Sequence, residues 1–156
     1  MAKILEGLRV VEGTAFVVRL PDGRRLAQDE LAGAVLEASD EQGRVLTVRI
    51  DEVATDPRDP AGEIMLYHLK VLDGSGGWQE LCKPDPMGER WAFPLAGVWT
   101  ESGEHRPHPE AFNVTCTSGA VGKCVRAGYK PWATAPDGTP LWGHHQACVR
   151  MFRADY

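Results

Sequence analysis

The sequence predicts an α+β protein: an antiparallel β-sheet or sandwich-like module to about residue 110, then a pair of helices packed on it. Three observations predict this. Short alternating apolar stretches recur between Gly-, Pro- and Asp-rich turns through the first two thirds of the chain. After Cys116 the apolar spacing changes from two to three and four residues. Two of the four cysteines, Cys124 and Cys148, fall on those helical stripes.

The elements follow in order. Leu5-Glu6-Gly7 and Val11-Glu12-Gly13 echo each other with a period of six, read either as the end of an N-terminal repeat region over 1–16 or as one extended strand entry. Phe16, Val18 and Leu20 alternate with Val17 and Arg19, a half-buried strand that ends at the turn Pro21-Asp22-Gly23. Residues 31–38 read as a strand or a short helix, and Asp40-Glu41-Gln42-Gly43 turns the chain. Leu46, Val48 and Ile50 share one face of a strand over 44–50, and residues 56–62 form a loop. The run from Ile64 to Val71 is almost wholly apolar, as in a strand covered on both faces. Asp73-Gly74-Ser75-Gly76-Gly77 is a turn from which 78–81 pairs back. Residues 92–99 read as an edge strand, because Pro94 has no N–H to give to a ladder. A polar loop follows over 101–109, with His105-Arg106-Pro107-His108 in solvent.

In the C-terminal part, 111–156, Phe112 to Cys116 is a strand, and Thr117 or Ser118 caps a helix that runs to about Ala127. Val121, Cys124 and Val125 lie on its apolar face. Gly128 ends it and Pro131 prevents continuation. After the turn Pro136-Asp137-Gly138-Thr139 a second helix starts near Leu141. Leu141, His145, Cys148, Phe152 and Tyr156 make its apolar stripe, with Arg150 and Arg153 off it.

At 156 residues the chain is one domain, with 17–110 its β-rich part. Apolar residues at 43% and charged ones at 25% are the balance of a globular chain with its own core. The net charge of −5 argues against a general nucleic-acid binder. Acids outnumber bases 15 to 9 over residues 1–80, whereas bases outnumber acids 5 to 2 over 111–156. No apolar run approaches the roughly eighteen residues of a membrane span, and no basic-then-apolar segment opens the sequence.

Four groups of residues are candidates for chemistry. The cysteines lack any C-x-x-C spacing, which argues against thioredoxin-like redox chemistry and zinc ribbons. They allow three pairings, or four buried free thiols. If the two helices pack together Cys124 can meet Cys148, which leaves Cys82 with Cys116. Alternatively Cys116, Cys124, His145 and Cys148 supply a small zinc site. As a further alternative, a cysteine with His145 forms the nucleophile of a hydrolase or transferase. Finally, Tyr129, Lys130, Trp132, Arg150 and Arg153, with Lys123 and Arg126 nearby, make an aromatic and cationic set able to bind a glycan or a protein. The plain structural alternative is that the rings pack over the helix pair while the cations reach outward.

The blocks Gly128-Tyr129-Lys130-Pro131-Trp132 and His145-Gln146-Ala147-Cys148, followed by Arg150-Met151 and Arg153-Ala154-Asp155-Tyr156, resemble the ADYC domain family, found notably in myxobacteria. Gly13-Thr14-Ala15 and Trp78-Gln79-Glu80-Leu81-Cys82 extend the resemblance upstream. The family motif continues with a cysteine where this sequence ends at Tyr156, so the sequence is either cut or processed at that bond or naturally short there. The resemblance implies an exported, periplasmic or cell-surface bacterial protein, a setting in which cysteines pair as disulfides. It implies no reaction, cofactor or metal. The expected function is therefore a non-catalytic binding or structural module whose partner is a protein or a glycan.

Overall fold

In the computed structural model, residues 3–4, 8–39, 42–100, 102–108 and 111–154 are described. The echo at Leu5-Glu6-Gly7, the turn residues Asp40 and Glu41, and the stripe end at Tyr156 lie outside them. The strands are β1 (Lys3–Ile4), β2 (Leu8–Glu12), β3 (Ala15–Arg19), β4 (Arg25–Ala27), β5 (Ala34–Ser39), β6 (Val45–Thr55), β7 (Met65–Leu72), β8 (Trp78–Glu80), β9 (Trp91–Ala96), β10 (Val98–Trp99), β11 (His105–Arg106) and β12 (Phe112–Cys116). Two helices, α1 (Ala120–Arg126) and α2 (Trp142–Ala154), close the chain. The fold is α+β, and its strands are mostly antiparallel.

The main sheet runs β1-β5-β6-β7-β9-β12, and only the β1–β5 pair is parallel. Strands β8 and β9 both pair with β7, on Lys70–Leu72 and on Tyr67–His68 respectively, so the chain leaves the sheet and returns to it between Leu81 and Arg90. A smaller sheet, β2-β3-β4, lies against the large one. Phe16 meets Tyr67 edge-on at 5.1 Å and Phe112 at 5.5 Å, contacts worth about 0.5–1.5 kcal/mol each beyond their burial. This packing buries Phe16, Val17 and Val18 together, not only the alternate residues that the sequence pattern marks.

Pro94 corrects the edge-strand expectation. β9 lies inside the sheet, between β7 and β12. Gly97 N–H donates to the Ala111 carbonyl and Thr117 N–H to that of Trp91, which makes Pro94–Val114 a non-bonded pair of the β9–β12 ladder. The missing N–H therefore faces the β7 side, where the ladder already stops at Ala92. Beyond that point the N–H of Met65 is satisfied by the buried hydroxyl of Thr14, at 2.8 Å, from the β2–β3 turn. The N–H of Phe16 donates in turn to the Tyr67 hydroxyl at 3.0 Å. Burial pushes that phenol up to about 12.

The turns at 21–23, 73–77 and 136–139 stand as expected, and β12 spans the expected residues. Residues 31–38 resolve into a short 3₁₀ turn, Gln28–Leu31, followed by β5. β6 runs further than 44–50, and its outer end leaves Val45 and Leu46 exposed. α1 starts after Gly119 with no side-chain cap, because the Thr117 hydroxyl donates to Asp85 instead, at 3.0 Å. Its C-terminus carries the paired bonds of a Schellman motif, Gly128 N–H to Val125 and Tyr129 N–H to Cys124, with Gly128 at φ +107°.

Inside α1, a Cβ added at Gly122 would stand 2.5 Å from the Cys116 carbonyl oxygen. Gly→Ala in an open helix stabilises by about 1 kcal/mol. Here backbone blocks the methyl, so Gly122→Ala is expected to destabilise by about 1–3 kcal/mol. A thermal melt that shows no loss would contradict this close approach.

Candidate functional site

Two disulfides set the frame. Cys124–Cys148 ties α1 to α2 with Cα atoms 5.9 Å apart, and Cys82–Cys116 ties the excursion after β8 to the end of β12. Val149 is fully buried beside the first bridge. His145, on the same inner face of α2, has no exposure at all. Its Nε2 lies 3.2 Å from the Val121 carbonyl. A carbonyl only accepts, so Nε2 carries the proton and Nδ1 keeps a lone pair. Burial holds this imidazole below the ordinary histidine range; the Val121 carbonyl works in the opposite sense, and nearby His105 adds to the lowering.

Next to His145 an aromatic wall forms. His105 and Arg106, expected within a solvated loop over 101–109, instead form β11, which pairs with β10 so that Trp99 stands directly opposite His105. The Trp99 ring is 4.4 Å from that of His105 and 5.9 Å from that of His145. His105 stacks on Trp142, at the first turn of α2, with centroids 4.0 Å apart and planes 23° from parallel. Gln146 fixes the hairpin to α2: its Oε1 accepts from the His105 N–H at 3.4 Å and its Nε2 donates to the Gly103 carbonyl at 3.0 Å. Gly97 is required beneath this wall, since a Cβ there would stand 2.2 Å from His105 Nε2 and its φ is +92°. Among the described residues, two buried side-chain polar atoms have no partner, Trp99 Nε1 and His145 Nδ1, one a donor and the other an acceptor.

In front of the wall lies a cleft of about 870 Å³ lined by Gly97, His105, Pro107, His108, Trp142 and Gln146, among others. Its size is that of an ordinary small-ligand site. Trp142 is the exposed ring, at 36%. Trp99, His105 and Trp142 are not among the binding residues that the sequence pattern marks. The available signal was a Trp and a His six apart, flanking Thr100, Ser102 and Gly103 as a hairpin tip would.

The aromatic and cationic residues singled out in the sequence separate into two groups. Lys130 donates to Asp59 at 2.8 Å and Glu63 at 3.1 Å, and Trp132 Nε1 donates to Glu63 at 3.4 Å, all on the loop between β6 and β7. Burial alone would lower the Lys130 pKa, but the two carboxylates hold it raised. Tyr129 is exposed near them in sequence. Arg150 and Arg153 are exposed on α2, with Arg153 against Gly103. Arg126 is nearly buried, with 8% of its side chain exposed. It forms two bonds to Asp56, at 2.7 and 3.0 Å, and lies 3.6 Å from Asp85. Burial works to raise both carboxyls, yet bonds from Arg126 and Arg58 N–H to Asp56, and from Glu89 N–H and Thr117 to Asp85, leave each below the usual range.

The alternative Cys/His centre does not assemble in this oxidised chain. Cys116, Cys124 and Cys148 have no thiolate while their sulfurs are bridged, and thiolate is the form that attacks or ligates. Among the described residues no group of three or more His, Cys, Asp or Glu is placed to hold a metal. Among them, too, no helix is long and apolar enough to cross a membrane. A family model, the ADYC domain, matches residues 28–156. No curated protein and no solved structure matches the chain.

Proposed function

Since the chain belongs to the ADYC domain family, we propose that it is an exported bacterial binding module that acts at the cell exterior without catalysis, with the cleft beside Trp142 as its binding face. One observation carries this reading. The walls of the cleft are tied together with no ligand bound: they come from a hairpin and a helix joined by Gln146 and the His105–Trp142 stack, and the Cys124–Cys148 bridge fastens that helix to α1. Preformed walls reduce the ordering cost of binding. The disulfides support a place outside the reducing cytoplasm. Arg126 and Lys130, by contrast, are engaged within the fold, which suits them to support more than to recognition.

Two measurements on the source bacterium test the reading. Fractionation is expected to find the protein in the periplasm or on the surface; confinement to the cytoplasm would overturn export. Purified protein is expected to sediment with isolated cell envelopes, and Trp142→Ala to remain in the supernatant. Equal behaviour of the two proteins would remove the cleft from the account.

A further inference from the structure

The chemistry of the cleft narrows the ligand. Among the described residues, none that lines it is Asp, Glu, Lys or Arg, so none of these supplies an ion pair through a carboxylate, ammonium or guanidinium group. The second cleft, about 340 Å³ beside α1, is charged, but its Arg126 and Asp85 already pair with each other. The first cleft is also one-sided. It is open to solvent, and the exposed indole on its lining is that of Trp142. A fully aromatic or aliphatic ligand gains most when both faces leave water, and here one face would stay wet. A ring with one apolar face and polar edges suits this shape. The C–H bonds on one face of a pyranose meet the negative face of an indole, while its hydroxyls remain in water or bond to the rim. The rim supplies polar edges: His105, whose Nε2 donates to the Ala96 carbonyl at 3.0 Å, and His108 both line the cleft. The stack on His105 holds Trp142 from behind, so little freedom is lost when a ring settles on it.

We propose that the cleft binds an uncharged glycan, with one pyranose ring stacked on Trp142. This rests on the binding-module reading and names its ligand class. The full chain, both disulfides intact, is applied to an array of neutral, carboxylated and sulfated glycans, and a retained neutral glycan is then titrated calorimetrically. Neutral glycans are expected to be retained. Trp142→Ala is expected to weaken binding about tenfold or more, and Trp142→Phe to keep most of it. Circular dichroism and an unchanged disulfide mass show that the variants fold. Retention of charged glycans alone, of none, or binding indifferent to Trp142→Ala overturns the assignment. If envelopes still sediment the protein in a Trp142-dependent way in those cases, the ligand class is wrong and the binding-module reading stands.

Discussion

Replacing Arg126 with alanine is expected to cost about 3–5 kcal/mol of stability near pH 7, because it strands buried carboxylates without their counter-charge. Asp56 is 1% exposed and Asp85 is 2% exposed at the side chain, and Arg126 reaches both. The partners are 70 residues apart in sequence, so this contact fastens α1 to the loop after β6. A surface ion pair would contribute at most about 1 kcal/mol; burial of all three groups makes the difference. The effect has a pH signature. Both carboxyls titrate below their unfolded value of about 3.9, so their contribution is full above that pH and lost as pH falls through the folded values. His145, also lowered, starts to withdraw stability earlier, as pH falls below about 6.5, because the unfolded chain takes up the proton first. In Arg126→Ala the stranded carboxyls protonate more readily, so its deficit relative to wild type shrinks on acidification. Urea unfolding at a series of pH values checks this. A deficit below about 1 kcal/mol at neutral pH would mean that the ion pair behaves as a surface one.

Removing the Cys124–Cys148 bridge as the double serine variant is expected to cost about 3–4 kcal/mol, and so is removal of Cys82–Cys116. The loops they close span 24 and 34 residues, so chain entropy predicts nearly equal losses. Their local consequences differ. The first bridge holds α2, which carries Trp142, His145 and Gln146, so its loss loosens the aromatic wall. The second closes the excursion between β8 and β9, which carries none of the residues of that wall. Hydrogen–deuterium exchange over residues 142–150 is expected to rise with Cys124→Ser/Cys148→Ser and to stay close to wild type with Cys82→Ser/Cys116→Ser. The reverse pattern would detach the bridge from the cleft.

The local parts of this fold could be read from the sequence because local rules govern them. Strand β12, the Asp73–Gly77 turn, the Gly128 stop and the start of α2 after Leu141 each follow from residues within a few positions of one another. The helix cysteines also showed themselves, since both lie on apolar stripes that had to face a partner. What escaped was set by distant contacts. Pro94 sits inside the sheet because the β7 ladder has already ended there, which no rule about a single strand can foresee. Arg126 and Lys130 looked available for a ligand until the β6–β7 loop, about seventy residues earlier, brought Asp56, Asp59 and Glu63 to them. His105 resembled a solvated loop residue until the β10–β11 pairing turned it onto Trp142. The first displaced a strand, whereas the other two are why the Trp142 side, and not the Lys130 side, is proposed as the binding face.

Everything proposed for the cleft depends on a helix pair locked by oxidised sulfur, and the protein from its native source can be asked directly. Trypsin does not cut before proline, so Lys83, Arg106 and Lys130 are spared and the four cysteines fall on separate peptides, 71–90, 91–123, 124–126 and 127–150. The protein is isolated under maleimide block and mapped without reduction. The account predicts peptide 71–90 linked to 91–123 and peptide 124–126 linked to 127–150, with no maleimide on any cysteine. Blocked free thiols at Cys124 and Cys148, or a bridge from either to Cys82 or Cys116, would contradict it.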